Sequence, residues 1–232
     1  MTISFDVISD LHLIDSHQFD WECKATSLYC IVAGNISEEL TLVHQTLLNL
    51  SRFYQGVFYI AGNAEYHNRD SIRTRTTELT EICSGIRNVV FLHQNVVILD
   101  GVAVMGAHGW YGNSADEDLV TAIRIENQRY EDITYMGSTI EKLQLHLDVK
   151  KIIMVTSSVP GRELFFGEEP RDIFTQVSPQ EALVYDTESK VTHWIFGSYN
   201  KVTDISIDNV RYINNSFYHR SPYWAKRIEI EI

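Results

Sequence analysis

The chain has 232 residues, of which 44% are hydrophobic and 22% charged, and its formal net charge is −12 at pH 7. This composition is typical of a globular protein with a sizeable core, and the acidic charge argues against general affinity for nucleic acid, whose backbone is bound mainly by Lys and Arg. No apolar run approaches the roughly 18 residues that a membrane-spanning helix needs.

The N-terminal residues and the cysteines predict the compartment. No basic residue precedes Lys24, and Asp6 and Asp10 interrupt the first apolar run, so we expect neither a signal peptide nor a membrane partner. Three cysteines without a Cys-x-x-Cys pair predict reduced thiols and a cytoplasmic protein.

The first part of the chain alternates apolar strands with glycine turns. Residues 3–8, 28–32 and 57–61 are short apolar runs that predict strands, and a Gly-Asn pair follows each of the last two. Between them, a helix capped by Ser37 is predicted from apolar residues at helical spacing, namely Leu40, Val43, Leu47, Leu50 and Tyr54. This rhythm is typical of an α/β protein whose loops hold its site.

The rest of the chain continues the alternation. Asp100-Gly101 predicts a hairpin. Ser138 and Glu141 form a capping box inside a long helical region that reaches about Val149, so two helices breaking near Gly137 are expected. The other predicted elements are a helix over 70–84, strands at 89–92, 95–99, 102–105, 152–155 and 193–196, a loop over 161–178, a helix from Pro179, a hairpin of 205–207 with 210–213, and a strand at 227–232. Without repeats or a linker, residues 1–232 are predicted to form a single domain.

The end of the first strand offers half of a metal site. Asp10 and His12 lie two residues apart, and alternate side chains of an extended segment point the same way, so both could face one ion. The alternative is an aspartate that caps a helix, with an incidental histidine nearby.

This segment resembles the first motif, Asp-x-His, of the calcineurin-like metallophosphoesterases, and further motifs follow in order up to Asn215. Gly34-Asn35 stands where the family has Gly-Asp, whose aspartate bridges two metals. Gly62-Asn63-Ala64-Glu65 stands where it has Gly-Asn-His-Glu. Thr156-Ser157-Ser158 replaces a threonine followed by one or two histidines, and Gly197-Ser198-Tyr199-Asn200 replaces Gly-His-x-His.

The resemblance implies a fold and a metal centre that lacks most of the family's ligands. The fold expected is α/β, a two-sheet β-sandwich flanked by helices in four αββα layers. Asp10, His12 and Asn63 keep family ligands, Asn35 and Asn200 offer weak carbonyl oxygens, and Ala64 replaces the histidine credited with protonating the leaving group. The resemblance therefore implies no cofactor, or one weakly bound Mn²⁺ or Mg²⁺.

Other side chains are predicted to line the vestigial cleft. Ser157, Ser158 and Ser198 occupy former histidine positions, while His67 and His108 either supply an imidazole or are ordinary loop histidines. Near His67, a group of three arginines suits a phosphate or an acidic partner, or else a solvated helix face: Arg69, Arg73 and Arg75.

The sequence leaves three functions open. The favoured one is a pseudoenzyme that binds or regulates a protein partner. The second is a residual phosphodiesterase with a reduced or atypical metal site, which a count of bound metal ions would distinguish. The third is a protein that binds a nucleotide or another small phosphate ligand without catalysis, which ligand-induced thermal stabilisation would reveal.

Overall fold

The computed structural model describes residues 1–15, 19–67, 71–110, 119–164, 189–217 and 223–232. Eleven strands and three α-helices lie in these ranges. The strands are β1 (Thr2–Ile8), β2 (Tyr29–Ala33), β3 (Gly56–Ile60), β4 (Val89–Phe91), β5 (Asn95–Leu99), β6 (Val102–Ala107), β7 (Lys151–Thr156), β8 (Val191–Phe196), β9 (Thr203–Ile207), β10 (Val210–Asn214) and β11 (Lys226–Glu231). The helices are α1 (Leu40–Ser51), α2 (Ile72–Ser84) and α3 (Leu119–Leu145).

Two mixed sheets are formed by these strands. The first has the order β11-β1-β2-β3-β4, and the second has the order β5-β6-β7-β8-β10-β9. Within each sheet the inner strands are parallel, and antiparallel pairing occurs at β11–β1, β5–β6 and β10–β9. Because parallel strands end at the same edge of a sheet, the loops that follow β1, β2, β3, β6, β7 and β8 collect at one end of the molecule.

The core consists of three buried apolar clusters, which define the four layers. The central cluster lies between the two sheets and includes Phe5, Phe58, Val104 and Ile195. A second cluster packs α1 and α2 on the outer face of the first sheet, and a third packs α3 on the outer face of the second. The predicted α/β fold with two sheets flanked by helices in four αββα layers is confirmed.

Local sequence signals predicted two hairpin turns correctly. Asp100 and Gly101, with φ of 46° and 85°, form the predicted two-residue turn between β5 and β6. Asp208 and Asn209, with φ of 48° and 65°, form the turn between β9 and β10. Asp, Asn and Gly tolerate positive φ better than other residues, which explains their selection at these turns.

Two helix predictions were wrong in detail. Helix α3 runs without a break through Gly137, and the Ser138 hydroxyl donates back to the Tyr135 carbonyl of the same helix instead of starting a new one. The N-cap position of α1 is Glu39, whose side chain makes no capping hydrogen bond, and not Ser37. The Ser37 hydroxyl donates to the Leu13 carbonyl and accepts from the Glu39 backbone N–H, so it joins two loops just before the helix.

Some predictions concern residues outside the described ranges, including the helix from Pro179, most of the loop over 161–178, and Arg69. The assignment of residues 1–232 to a single domain stays a prediction. Within the part of the chain that the structure describes, no helix combines the length and apolar character needed to cross a membrane.

Candidate functional site

The candidate site lies in the loops at the carboxyl ends of the parallel strands. Four of its residues have a left-handed backbone, namely Asp10, His12, Asn35 and Ser198, with φ between 46° and 58°. Such conformations cost free energy in residues other than glycine and tend to cluster at functional sites. The expected extended geometry of Asp10 and His12 is therefore wrong: β1 ends at Ile8, Asp10 is buried, and His12 is exposed.

Asp10 is the centre of the buried network. Its Oδ1 accepts hydrogen bonds from Asn35 Nδ2 at 2.8 Å and from the Ser198 backbone N–H at 2.7 Å. Its Oδ2 accepts from Asn214 Nδ2 at 3.1 Å. Burial raises the pKa of Asp10, and these hydrogen bonds and the nearby His12 oppose that rise. Three neutral donors thus stabilise the carboxylate.

The Asn35 side chain bridges two loops and has a defined orientation. Its Nδ2 donates to Asp10 Oδ1 and, at 3.0 Å, to the Ser198 hydroxyl, whereas its Oδ1 accepts from the Ala64 backbone N–H at 3.0 Å. An ionised carboxylate only accepts and a backbone N–H only donates, so the amide cannot be reversed without losing both bonds. A Cβ on Gly62 would lie 2.4 Å from Asn35 Oδ1, so glycine is required there.

Glu65 holds the Asn35 loop in place. It is completely buried, and its carboxylate accepts from the backbone N–H groups of Asn35, Ile36 and Gly62. Burial raises the pKa of Glu65, against the effect of these backbone bonds and of Tyr59. No role for Glu65 was predicted from the sequence, although it closes the Gly-Asn-x-Glu motif directly after a glycine turn.

A second group joins Asn63 to His108. Asn63 is half-buried, and its Oδ1 lies 3.3 Å from His108 Nε2. His108 is buried, with Nδ1 2.7 Å from the Ala61 carbonyl oxygen and its ring packed against Trp110 at 4.0 Å between centroids. The structure therefore places His108 next to a predicted ligand position.

Three other predicted site residues lie at the surface. His12 lines a groove of about 400 Å³ together with Glu38 and Ala64. His67 is exposed, and its Nε2 lies 3.7 Å from a Glu38 carboxylate oxygen. Asn200 is exposed as well. Of the three, His12 stays connected to the buried network, because its backbone N–H donates to the Asn35 carbonyl at 2.9 Å and its side chain lies near enough to Asp10 to influence the pKa of that carboxyl.

The two serines after β7 are buried. The hydroxyls of Ser157 and Ser158 have no hydrogen-bond partner among the described residues. Ser157 packs beside the Asn35 loop, since its Cβ lies 3.1 Å from the position of a Cβ on Gly34. Thr156, which precedes them, accepts from Trp194 Nε1 and donates to the Ser158 carbonyl.

The ligand atoms that these residues offer do not fit a two-metal centre. Both Asp10 oxygens accept from N–H groups, and the Asn35 oxygen accepts from Ala64 N–H. Metal ions would need those lone pairs, together with additional imidazole or carboxylate ligands. Within the described ranges, no cluster of three or more His, Cys, Asp or Glu side chains is arranged to hold an ion.

Solved structures of other proteins superpose on this chain. The chain superposes on the phosphopantetheinyl hydrolase PptH from Mycobacterium tuberculosis with a TM-score of 0.62 and 16% identity, covering 97% of this chain and 95% of that one. The fold is metallophosphoesterase-like. A provisionally assigned 5′-nucleotidase from Staphylococcus aureus, solved with alpha-ketoglutarate, superposes with a TM-score of 0.53 and 12% identity over 100% of this chain and 51% of that one. At such identities the likeness shows the fold alone.

Sequence comparison adds one relative. The chain is 23% identical over 186 residues to the uncharacterized protein L509 of Acanthamoeba polyphaga mimivirus. The aligned region covers 66% of this chain and 66% of the length of that protein. No family model matches the chain.

Proposed function

We propose that this chain is a non-catalytic protein with a metallophosphoesterase-like fold, which binds or regulates a protein partner in the cytoplasm. The observation behind this proposal is the Asn35 amide, whose two N–H groups donate to Asp10 and Ser198. In the related enzymes, the aspartate expected at this position bridges two cations. Here a neutral amide satisfies the same neighbours without any cation.

The chemistry that remains also favours a non-catalytic role. Two-metal hydrolysis needs both ions to activate a water and to stabilise the leaving oxygen, and a general acid to protonate that oxygen. Ala64 stands at the position of the expected general acid and has no titratable group. General acid–base catalysis typically contributes about 10²–10⁴-fold to a rate, so its loss alone would be severe.

The rival function is a phosphodiesterase with one metal ion or an atypical site. The contact of Asn63 with His108 favours it, because an amide oxygen and an imidazole lie side by side at the edge of the cleft. Two oxygen or nitrogen ligands alone bind a divalent ion weakly. A third candidate, binding of a small phosphate ligand, is argued separately below for a groove outside this cleft.

The decisive experiment is a titration of Mn²⁺ into chelator-stripped protein, together with an assay on bis(4-nitrophenyl) phosphate. We expect no binding, or weak binding of a single ion, and no turnover. Tight binding of two ions, with turnover that Asp10→Ala abolishes, would refute the proposal. One bound ion with turnover that His108→Ala abolishes would establish the phosphodiesterase instead.

A further inference from the structure

A groove of about 600 Å³ lies between α2 and α3 beside the β4–β5 connection, and none of its lining residues belongs to the Asp10 network. Its walls are the first turns of α2, the connection between β4 and β5, and the N-terminal half of α3. Cavities of roughly 300–1,000 Å³ are the size that accommodates small-molecule ligands. The groove is therefore large enough for a mononucleotide or a short polyphosphate.

Two arginines from different helices face this groove. Arg73 lies on α2 and Arg124 on α3, and both are exposed. Their neighbours Arg75 and Arg129 pair with carboxylates on their own helices, at 3.4 Å from Glu78 and 2.8 Å from Glu126. Among the described residues, no carboxylate lies within ion-pair distance of Arg73 or Arg124.

The position of Arg73 adds to the local positive potential. It lies in the first turn of α2, which contains no acidic residue. The N-terminus of a helix carries a partial positive charge, so a cation there is unfavourable unless an anion compensates it. Glu131 contributes a carboxylate to the opposite wall, where it accepts from Gln128.

The walls of the groove also carry a neutral hydrogen-bonding group. Asn127 on α3 is exposed and lines the groove, so its amide is available to a ligand there. His93 lines the groove as well, but its Nδ1 is shielded from solvent and is therefore out of reach of a ligand in the groove. Burial lowers the pKa of His93, and Glu131 opposes that effect.

We propose that this groove binds a small phosphate-bearing molecule, with Arg73 and Arg124 clamping its phosphate groups from the two walls. Guanidinium groups form paired, charge-assisted hydrogen bonds with phosphate oxygens, which suits an anion that presents several oxygens at once. Because the groove lies outside the Asp10 cleft, this binding does not depend on whether that cleft hydrolyses anything.

Calorimetric titration of the full chain with ATP and, separately, with inorganic tripolyphosphate tests the proposal. Arg73→Gln and Arg124→Gln should each weaken binding about tenfold, in keeping with the loss of one charge-assisted contact. Glu131→Gln should strengthen binding, because it removes a negative charge from the wall. Arg87→Gln is the matched control: Arg87 is exposed near the C-terminal end of α2 and changes the net charge equally, so binding should be unchanged.

The outcomes separate the alternatives. Tighter binding of ATP than of tripolyphosphate would support a nucleotide, and equal binding would support the phosphate chain alone. Equal weakening by all three arginine substitutions would overturn the proposal, since the effect would then be one of net charge. Failure of both probes to bind the folded wild-type chain, or binding of a poly-glutamate peptide in their place, would overturn it too. Circular dichroism of each variant confirms that the fold is intact.

Discussion

At the scale of single residues, the side chain that contacts the buried Asp10 carboxylate is the amide of Asn35. The Asn35 Nδ2 lies 2.8 Å from an Asp10 oxygen, which is a favourable distance for a donor and an acceptor. A second carboxylate oxygen at the same place would repel Asp10. Whether the two side chains attract or repel therefore depends on one atom of residue 35.

The substitution Asn35→Asp should lower the free energy of unfolding at pH 7 by about 3 kcal/mol, because it leaves two buried carboxylates in contact without a compensating cation. The loss should shrink at low pH, where the pair shares a proton. Urea denaturation at pH 7 and pH 5 measures it, and Asn200→Asp is the matched control on an exposed asparagine. Equal effects of both substitutions would contradict this account.

The sequence predicted which strand ends carry the candidate site residues better than it predicted where their side chains point. Motif spacing predicted that Asp10 and Asn35 lie at neighbouring strand ends, and a hydrogen bond joins their side chains in the structure. The exposure of His12 could not be read from that spacing, since it depends on left-handed backbone angles at residues 10 and 12. The orientation of the Asn35 amide depends on Ala64, Ser198 and Asp10, which only the folded chain brings together.

At the scale of elements, the loop after β8 is held close to the loop after β2. A Cβ on Gly197 would lie 2.1 Å from the Ala33 carbonyl oxygen and 3.0 Å from the Ser157 carbonyl oxygen, both of which are backbone atoms. By contrast, a Cβ on Gly137 in α3 would have nothing within 4 Å. The same residue type thus meets a steric constraint in one element and none in the other.

Gly197→Ala should destabilise the fold by about 2 kcal/mol, because backbone strands must move apart to admit the methyl group. Gly137→Ala should stabilise it by about 0.5–1 kcal/mol, since alanine restricts the unfolded chain and favours a helix. Thermal unfolding of both variants beside the wild type is the measurement. A stabilising Gly197→Ala would show that the two loops are less tightly apposed.

Elements that are set by interactions between neighbouring residues were predicted correctly, whereas the continuity of α3, which depends on tertiary packing, was not. The hairpin turns were predictable because Asp-Gly and Asp-Asn pairs favour positive φ whatever surrounds them. The break near Gly137 was predicted from local capping residues alone, yet α3 buries Met136, Thr139 and Ile140 against the second sheet on both sides of that position. Tertiary packing therefore overrode the local signal.

At the scale of the whole molecule, one buried carboxylate ties α3 to the loops beside it. Asp132 on α3 accepts from Gln94 Nε2 at 3.0 Å and from the Gly109 N–H at 2.9 Å. Burial raises the pKa of Asp132 to about 6, although its hydrogen bonds oppose that rise. The ordinary value of 3.8 applies to the unfolded chain, so the folded protein binds the proton more tightly.

This difference makes stability depend on pH in a defined direction. Between about pH 4 and pH 6 the folded chain holds a proton on Asp132 that the unfolded chain releases, so stability from this group is present below pH 4 and lost as pH rises through 6. The full effect is about 3 kcal/mol. Denaturation from pH 7 to pH 4 should show a gain in stability that is larger by this amount in the wild type and in Asp148→Asn, an exposed control, than in Asp132→Asn. Asp10 and Glu65, whose pKa values burial also raises, contribute to the gain in all three proteins. An equal gain in stability in all three proteins would show that groups other than Asp132 cause it.

The Asn35 amide also restricts how this chain could change over generations. An aspartate at position 35 would, by itself, place like charges in contact before any ion had enough ligands to bind. A histidine at position 64, or at either of the positions held by Ser198 and Asn200, would add one imidazole at a time, without a second carboxylate beside Asp10. Each such substitution alone would thus destabilise the site or leave it with too few ligands. Only several substitutions together could turn this site into a metal centre, so single mutations do not lead there step by step through stable intermediates that bind an ion.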